Sequence, residues 1–162
     1  LVEKAAQALG IVNGVAKGDV VISKDGLPMI IEMAARLSGG DFSESLIPLG
    51  CGVNIVEAAI KISLGNAPDI EKLSDQWETS VANRYFFSTP GTLKAIHGLA
   101  EVKNIPWVKK FEVWVQPGDE IKQIKFHGER LGVFIVVGEN HEEIQKRVQT
   151  IYELVKFDIE SN

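Results

Sequence analysis

Two acidic residues, Asp19 and Glu32, stand on either side of a turn signal in KGDVVISKDGLPMIIEMAARLSGG, residues 17–40, and two cations, Lys17 and Arg36, border them. Carboxylates are hard oxygen donors, and two of them held close together repel unless a cation lies between. Mg²⁺ suits such a site. It is usually bound by one or two carboxylates, with waters and substrate phosphates completing its octahedron, so a protein supplying two acids leaves the remaining positions to a nucleotide. The same four charges also fit an exposed surface cluster, because ion pairs in water are common and weak.

The element that must position these acids is a β-hairpin. Asp25-Gly26 lies between two apolar runs, and a type I′ turn needs φ > 0 at both central residues, which Asp and Gly tolerate best. A two-residue loop at 25–26 places Lys24 opposite Leu27, Ile22 opposite Met29, Val20 opposite Ile31 and Asp19 opposite Glu32. Ser23 and Pro28 then form a non-hydrogen-bonded pair, so the N–H that proline lacks points away from the partner strand. By the same count Asp19 and Glu32 are a non-hydrogen-bonded pair with Cα atoms about 4.5 Å apart and side chains on one face. Lys17 shares that face by the period of two.

At these residues the sequence resembles the ATP-grasp enzymes. Their hallmark is an acid on one strand of a hairpin, then a strand ending in Glu-x-Asn-x-Arg and a Gly-rich turn. The counterparts are Asp19, then Glu32-Met33-Ala34-Ala35-Arg36, then Ser38-Gly39-Gly40. Ala34 stands where the commonest pattern has a metal-binding Asn, and AARLSGG looks like the branch of amino-acid ligases and carbamoyl-phosphate-synthase-like proteins. The resemblance implies an ATP-dependent carboxylate–amine (or carboxylate–thiol) ligase working through an acyl phosphate. It implies Mg²⁺ (or Mn²⁺) on Asp19 and Glu32, a phosphate contact from Lys17, stabilisation of the acyl phosphate by Arg36, and a substrate loop at Ser38, Gly39 and Gly40. ATP and a small carboxylate are the implied substrates. The implied partner is an upstream ATP-grasp half, in the same chain or another, because the sequence opens inside a helix that feeds straight into the hairpin and carries no Walker-type phosphate loop. Without that half the segment is expected to be inactive. The alternative is a non-catalytic partner-binding or structural module derived from such an enzyme.

Composition bounds the rest. With 162 residues and 45% hydrophobic content the chain can form one full domain or two small ones. A net charge of -5 with no basic stripe argues against nucleic acid as a partner. No stretch has the length of a membrane span, so a cytoplasmic protein is the expectation, and a homo-oligomer stays open. Cys51 is the single cysteine and reads as a small apolar residue. His97, His127 and His141 are widely spaced and not at metal-ligand intervals.

The expected fold is α+β. LVEKAAQALG is a short helix stopped by Gly10, Asp41–Leu49 a short helix broken by Gly50 and Gly52, and Asn54 with Glu57 opens a helix whose stripe is Val56, Ala59, Ile60 and Leu64. These helices pack on the antiparallel hairpin as the C-terminal part of the catalytic lobe, residues 1–65, with a linker at 66–80. Residues 81–162 form a small β-rich domain from VANRYFFS, TLKAIHG, VKKFEVWVQ, EIKQIKF and RLGVFIVVG, closed by a final helix starting at Asn140. Phe86, Phe87, Trp107, Trp114, Phe126 and Phe134 read as its core.

Overall fold

The computed structural model describes residues 1–161. The chain divides into two compact units, Leu1–Trp77 and Glu78 onward, and the break falls inside the stretch 66–80. The architecture is α+β with antiparallel sheets, as the residue pattern indicates.

The first unit opens with α1, Val2–Ala8. Gly10 ends it at φ 72°, where the Ile11 N–H reaches the Ala6 carbonyl and the Gly10 N–H that of Gln7, both at 3.0 Å. This is the paired closure that a left-handed glycine permits. Next come β1, Lys17–Ile22, and β2, Pro28–Ala34, as an antiparallel pair. A Cβ at Gly18 would lie 3.0 Å from Val2 Cγ2 and 3.1 Å from Met33 Sδ, so α1 rests on the hairpin face of Gly18 and Met33. The opposite face carries Lys17, Asp19 and Glu32.

The turn differs from the expected two-residue loop. Ser23 N–H donates to the Leu27 carbonyl at 2.9 Å and Gly26 N–H to the Ser23 carbonyl at 3.0 Å. Gly26 alone in the turn has positive φ, 77°. The loop is therefore three residues, Lys24-Asp25-Gly26, of the kind that ends in a left-handed glycine. Pairing next to it is displaced by one residue, to Ile22 with Pro28, Val21 with Met29 and Val20 with Ile30. A bulge then inserts Ile31 as an unpaired residue and restores Asp19 opposite Glu32, with Lys17 opposite Ala34.

After the hairpin a π-helical turn, Phe42–Leu46, runs directly into α2, Ile47–Cys51. Gly50 lies within α2 instead of breaking it, and Gly52, at φ 80°, is the stop. In α3, Ile55–Ser63, the Glu57 N–H is capped by Asn54 Oδ1 at 3.0 Å. The expected stripe is not the buried one, since Ile60 is 55% and Leu64 72% exposed while Ala58 is buried. Apolar residues cover a broad arc of this helix opposite the Glu57–Lys61 ion pair, and within it Ala58 is buried and Ile55, Val56, Ala59 and Ile62 are partly buried. α3 packs on the Phe42–Leu46 turn, where the sequence suggests the hairpin. Residues before the break fold back on the same unit, with Gln76 N–H donating to the Cys51 carbonyl at 2.8 Å and Trp77 Nε1 to that of Leu49 at 3.1 Å.

The second unit contains β3 (Ser80–Phe86), β4 (Gly91–His97), α4 (Leu99–Val102), β5 (Val108–Val113), β6 (Glu120–Ile121), β7 (Gly132–Gly138), α5 (His141–Leu154) and β8 (Lys156–Glu160). They make two three-stranded antiparallel sheets, ordered β3-β7-β5 and β6-β4-β8. Phe86, Leu93, Leu131, Phe134, Val148 and Ile151 are buried in one core, and the Phe86 and Phe134 rings lie 5.0 Å apart. Two expectations are corrected. EIKQIKF contributes only the two residues of β6, and α5 is not the last element, because β8 returns to pair with β4 and packs Phe157 and Ile159 against the core. Phe87, Trp114 and Phe126 are half or more exposed, lying outside the strands that fill the core.

Candidate functional site

The strand pairing puts Asp19 directly across from Glu32, and a third charged side chain enters between them. Lys17 Nζ donates to Asp19 Oδ2 at 2.6 Å and to Glu32 Oε1 at 3.5 Å. Lys17 precedes Asp19 by two residues on β1, so both stand on one face. The hydrogen bond to Asp19 raises the pKa of the Lys17 ammonium above its ordinary value, and the charges of Asp19 and Glu32 add to the effect. The two carboxylates are half-exposed, and the cross-strand repulsion expected of them is offset by this one ammonium group.

The same pair tests the fit of a divalent ion. Asp19 and Glu32 stand opposite each other as two hard oxygen donors, the donor type and number that Mg²⁺ commonly takes from a protein. Among the described residues no cluster of three or more His, Cys, Asp or Glu could hold a metal. An ion on Asp19 and Glu32 would therefore take its other ligands from water and phosphate.

Arg36 follows β2 and is exposed, with Nη1 donating to the Leu37 carbonyl at 2.9 Å. It forms no ion pair with Glu32 among the described residues. Past it the chain turns sharply. Gly40 and Asp41 both have left-handed φ, 64° and 68°, and Asp41 is the only such non-glycine residue described. On either side of these turns, Ser38, Gly39 and Phe42 join Lys17, Asp19 and Arg36 in the wall of a cavity of about 530 Å³. Glu32 and Gly40 lie outside that wall.

Phe42 is the residue that sequence reasoning misses. The signal available was an aromatic placed directly after Gly-Gly-Asp. Cys51 has its thiol on the Ile47 carbonyl at 3.3 Å and takes no part in the site.

Residues 84–160 match the family model described as L-amino acid ligase C-terminal domain 2. Solved structures extend the likeness over nearly the whole chain. Phosphoribosylglycinamide synthetase from Anaerococcus prevotii superposes with a TM-score of 0.82 at 20% identity, covering 98% of this chain and 40% of its own. The L-amino acid ligase from Bacillus licheniformis gives 0.79 at 23% identity, covering 97% of this chain and 39% of its own. The chain carries the C-terminal part of the ATP-grasp fold. Biotin carboxylase from Campylobacter jejuni, described as a β,γ-ATP complex, shares this ATP-grasp architecture with a TM-score of 0.65 at 18% identity, covering 98% of this chain and 34% of its own. No curated protein sequence matches the chain significantly. The chain thus spans about two fifths of the length of the ATP-grasp proteins it superposes on. No helix of the described residues is long and apolar enough to cross a membrane.

Proposed function

We propose that this chain is the C-terminal part of an ATP-dependent ligase that joins a small carboxylic acid to an amine, or to a thiol, through an acyl phosphate. The observation that carries the reading is the Asp19–Glu32 pair beside a cavity lined by Lys17 and Arg36. In this reaction a carboxylate oxygen of the substrate attacks the γ-phosphorus of ATP, the bond to the β,γ-bridging oxygen breaks, and ADP leaves. The amine or thiol then attacks the acyl carbon and phosphate departs.

Asp19 and Glu32 would hold magnesium, or manganese in its place, and that ion would supply neutralisation of the phosphate charge. Arg36 orients the reacting oxygens, since a guanidinium presents parallel N–H donors to a carboxylate or phosphate. Among the described residues the bond from Nη1 to the Leu37 carbonyl is the one it makes, which leaves its other donors for a ligand. Lys17 sits at the cavity wall and offers its ammonium to phosphate once the carboxylates have another cation. Ser38, Gly39 and Gly40 form the loop against which the substrate lies.

An upstream half completes the enzyme in this reading. Its support is the hairpin itself, on which Val20, Val21, Ile22, Leu27, Met29 and Ile31 are each 40% or more exposed. Apolar side chains gathered on an isolated two-stranded ribbon mark a surface that another element covers. One observation favours the non-catalytic alternative, namely that Lys17 already supplies a positive charge between the acids. Magnesium-dependent binding of a non-hydrolysable ATP analogue, measured on this segment joined to its upstream part, tests the two. Binding that Glu32→Gln abolishes supports the ligase, and binding indifferent to magnesium and to Glu32 supports the module.

A further inference from the structure

The cavity beside the acids has one large apolar wall, and the backbone is bent to place it there. Lys17, Asp19, Arg36, Ser38 and Gly39 are polar or lack a side chain, whereas Phe42 is an aromatic ring 52% exposed at the same cavity. An exposed Phe at the start of a helical segment has an ordinary alternative, which is to turn inward; here Ser43, its neighbour, is the buried residue. The turn that produces this arrangement departs from common backbone geometry twice in succession. Asp41 takes a left-handed φ of 68°, and the following turn closes with the wide bond from Leu46 N–H to the Asp41 carbonyl at 2.9 Å. Asp is among the few non-glycine residues that take that region, and π-helical turns are rare and concentrated at functional sites. The Phe42 N–H points back to the Gly39 carbonyl at 3.4 Å, which ties the ring's position to the Ser38–Gly40 loop.

We propose that Phe42 is a specificity-determining residue, and that the acid activated at this site carries an apolar side chain which packs on the Phe42 ring while its carboxylate faces Arg36. The inference rests on the ligase reading and names its substrate class. Lys17, Asp19, Arg36 and Ser38 bring charge and hydrogen-bonding groups to the cavity, and among the described residues lining it Phe42 brings the one apolar side chain. A polar side chain laid on the ring gains no hydrogen bond from it, and an apolar one is removed from water against carbon.

The test uses the enzyme carrying this segment with its upstream part, with ATP, magnesium and hydroxylamine as a generic acceptor, so that an activated acid is trapped as its hydroxamate. Acids are compared in near-isosteric pairs, leucine against asparagine and 4-methylvalerate against succinamate. The wild type is expected to favour the apolar member of each pair by about tenfold or more in kcat/KM, the discrimination an apolar contact of this size provides. Phe42→Ala should shrink that ratio several-fold, and Phe42→Leu should keep most of it. Because Phe42 is half-exposed, neither variant is expected to disturb folding, and a circular dichroism spectrum and melting curve like the wild type's would check this. A preference for the polar members, no hydroxamate from any apolar acid, or a ratio unmoved by Phe42→Ala overturns the inference. Glu32→Gln separates this outcome from failure of the ligase reading: it should suppress hydroxamate from every acid alike, and turnover that survives it counts against the reading itself.

Discussion

The ammonium of Lys17 lies 2.6 Å from Asp19 Oδ2 and reaches Glu32 across the strand pair, so an internal cation holds the place between two acids that a metal ion would share. On the proposed reading Lys17 and a divalent ion compete for the same oxygens. Lys17→Met is expected to strengthen Mn²⁺ binding to the chain several-fold, because it removes the ammonium that shares the two carboxylates. Titration calorimetry of wild type and variant checks this, with Glu32→Gln as the control that should remove the gain. Equal affinities would mean that the acids do not bind the ion.

The pairing of Asp19 with Glu32 is legible from alternation around Asp25-Gly26, yet the count that reaches it passes through two features that cancel. Asp-Gly serves equally in a two-residue loop and in a longer loop whose last residue is a left-handed glycine, and only the latter forms. Ile30 and Ile31 are both apolar, so nothing in their types marks one of them as the bulged residue. The caps at Asn54 and Asn140 are local side-chain-to-backbone bonds and can be read directly. β8 is hidden for the opposite reason. KFDIE alternates well, but a five-residue strand depends on the open edge of β4, which is a long-range fact. Phe42 is of the same kind, because an aromatic residue becomes a cavity wall only through the turn at Asp41.

Gly98 provides a test of the second unit. It joins β4 to α4 at φ 81°, and a Cβ there would run into the carbonyl of Leu154 at the end of α5. Gly98→Ala combines backbone strain with a clash against main chain that cannot rotate away, so it is expected to destabilise by about 2 kcal/mol or more. Denaturant melts of the two proteins measure it. A change below about 0.5 kcal/mol would mean that β4 and α5 do not meet in this way.

Tyr152 links α5 to β3 by donating its hydroxyl to the Tyr85 carbonyl at 3.0 Å, and its ring meets Phe86 edge-on. Burial raises its pKa above the ordinary 10.0, partly offset by the nearby charge of Arg84. A raised folded-state value means that the unfolded chain loses the proton first. The stability from this group is therefore complete below pH 10 and is lost as the pH climbs through the folded-state value. Tyr152→Phe should cost about 1 kcal/mol at neutral pH, the usual worth of such a bond. It should also lose less stability than the wild type between neutral and strongly alkaline pH, as urea melts across that range would reveal.

The ligase reading meets its sharpest test in the enzyme that joins this segment to its upstream part. On that reading Glu32 and Arg36 act on charge that develops as the phosphoryl group moves, whereas substrate affinity also draws on residues elsewhere. Glu32→Gln and Arg36→Ala should therefore each lower kcat by about a hundredfold to a thousandfold, or roughly 3–4 kcal/mol, with smaller changes in KM for ATP. Glu32→Gln keeps the shape of the side chain and removes its charge, so a loss there reports on electrostatics and not on packing. Arg36→Lys should recover only part of the Arg36→Ala loss, because an ammonium keeps the charge without the two-pronged geometry. Steady-state ADP release and single-turnover acyl transfer measured on the same variants separate the chemical step from binding. Variants that turn over like the wild type would move the chemistry away from this hairpin and leave the segment as a module held in place by its partner.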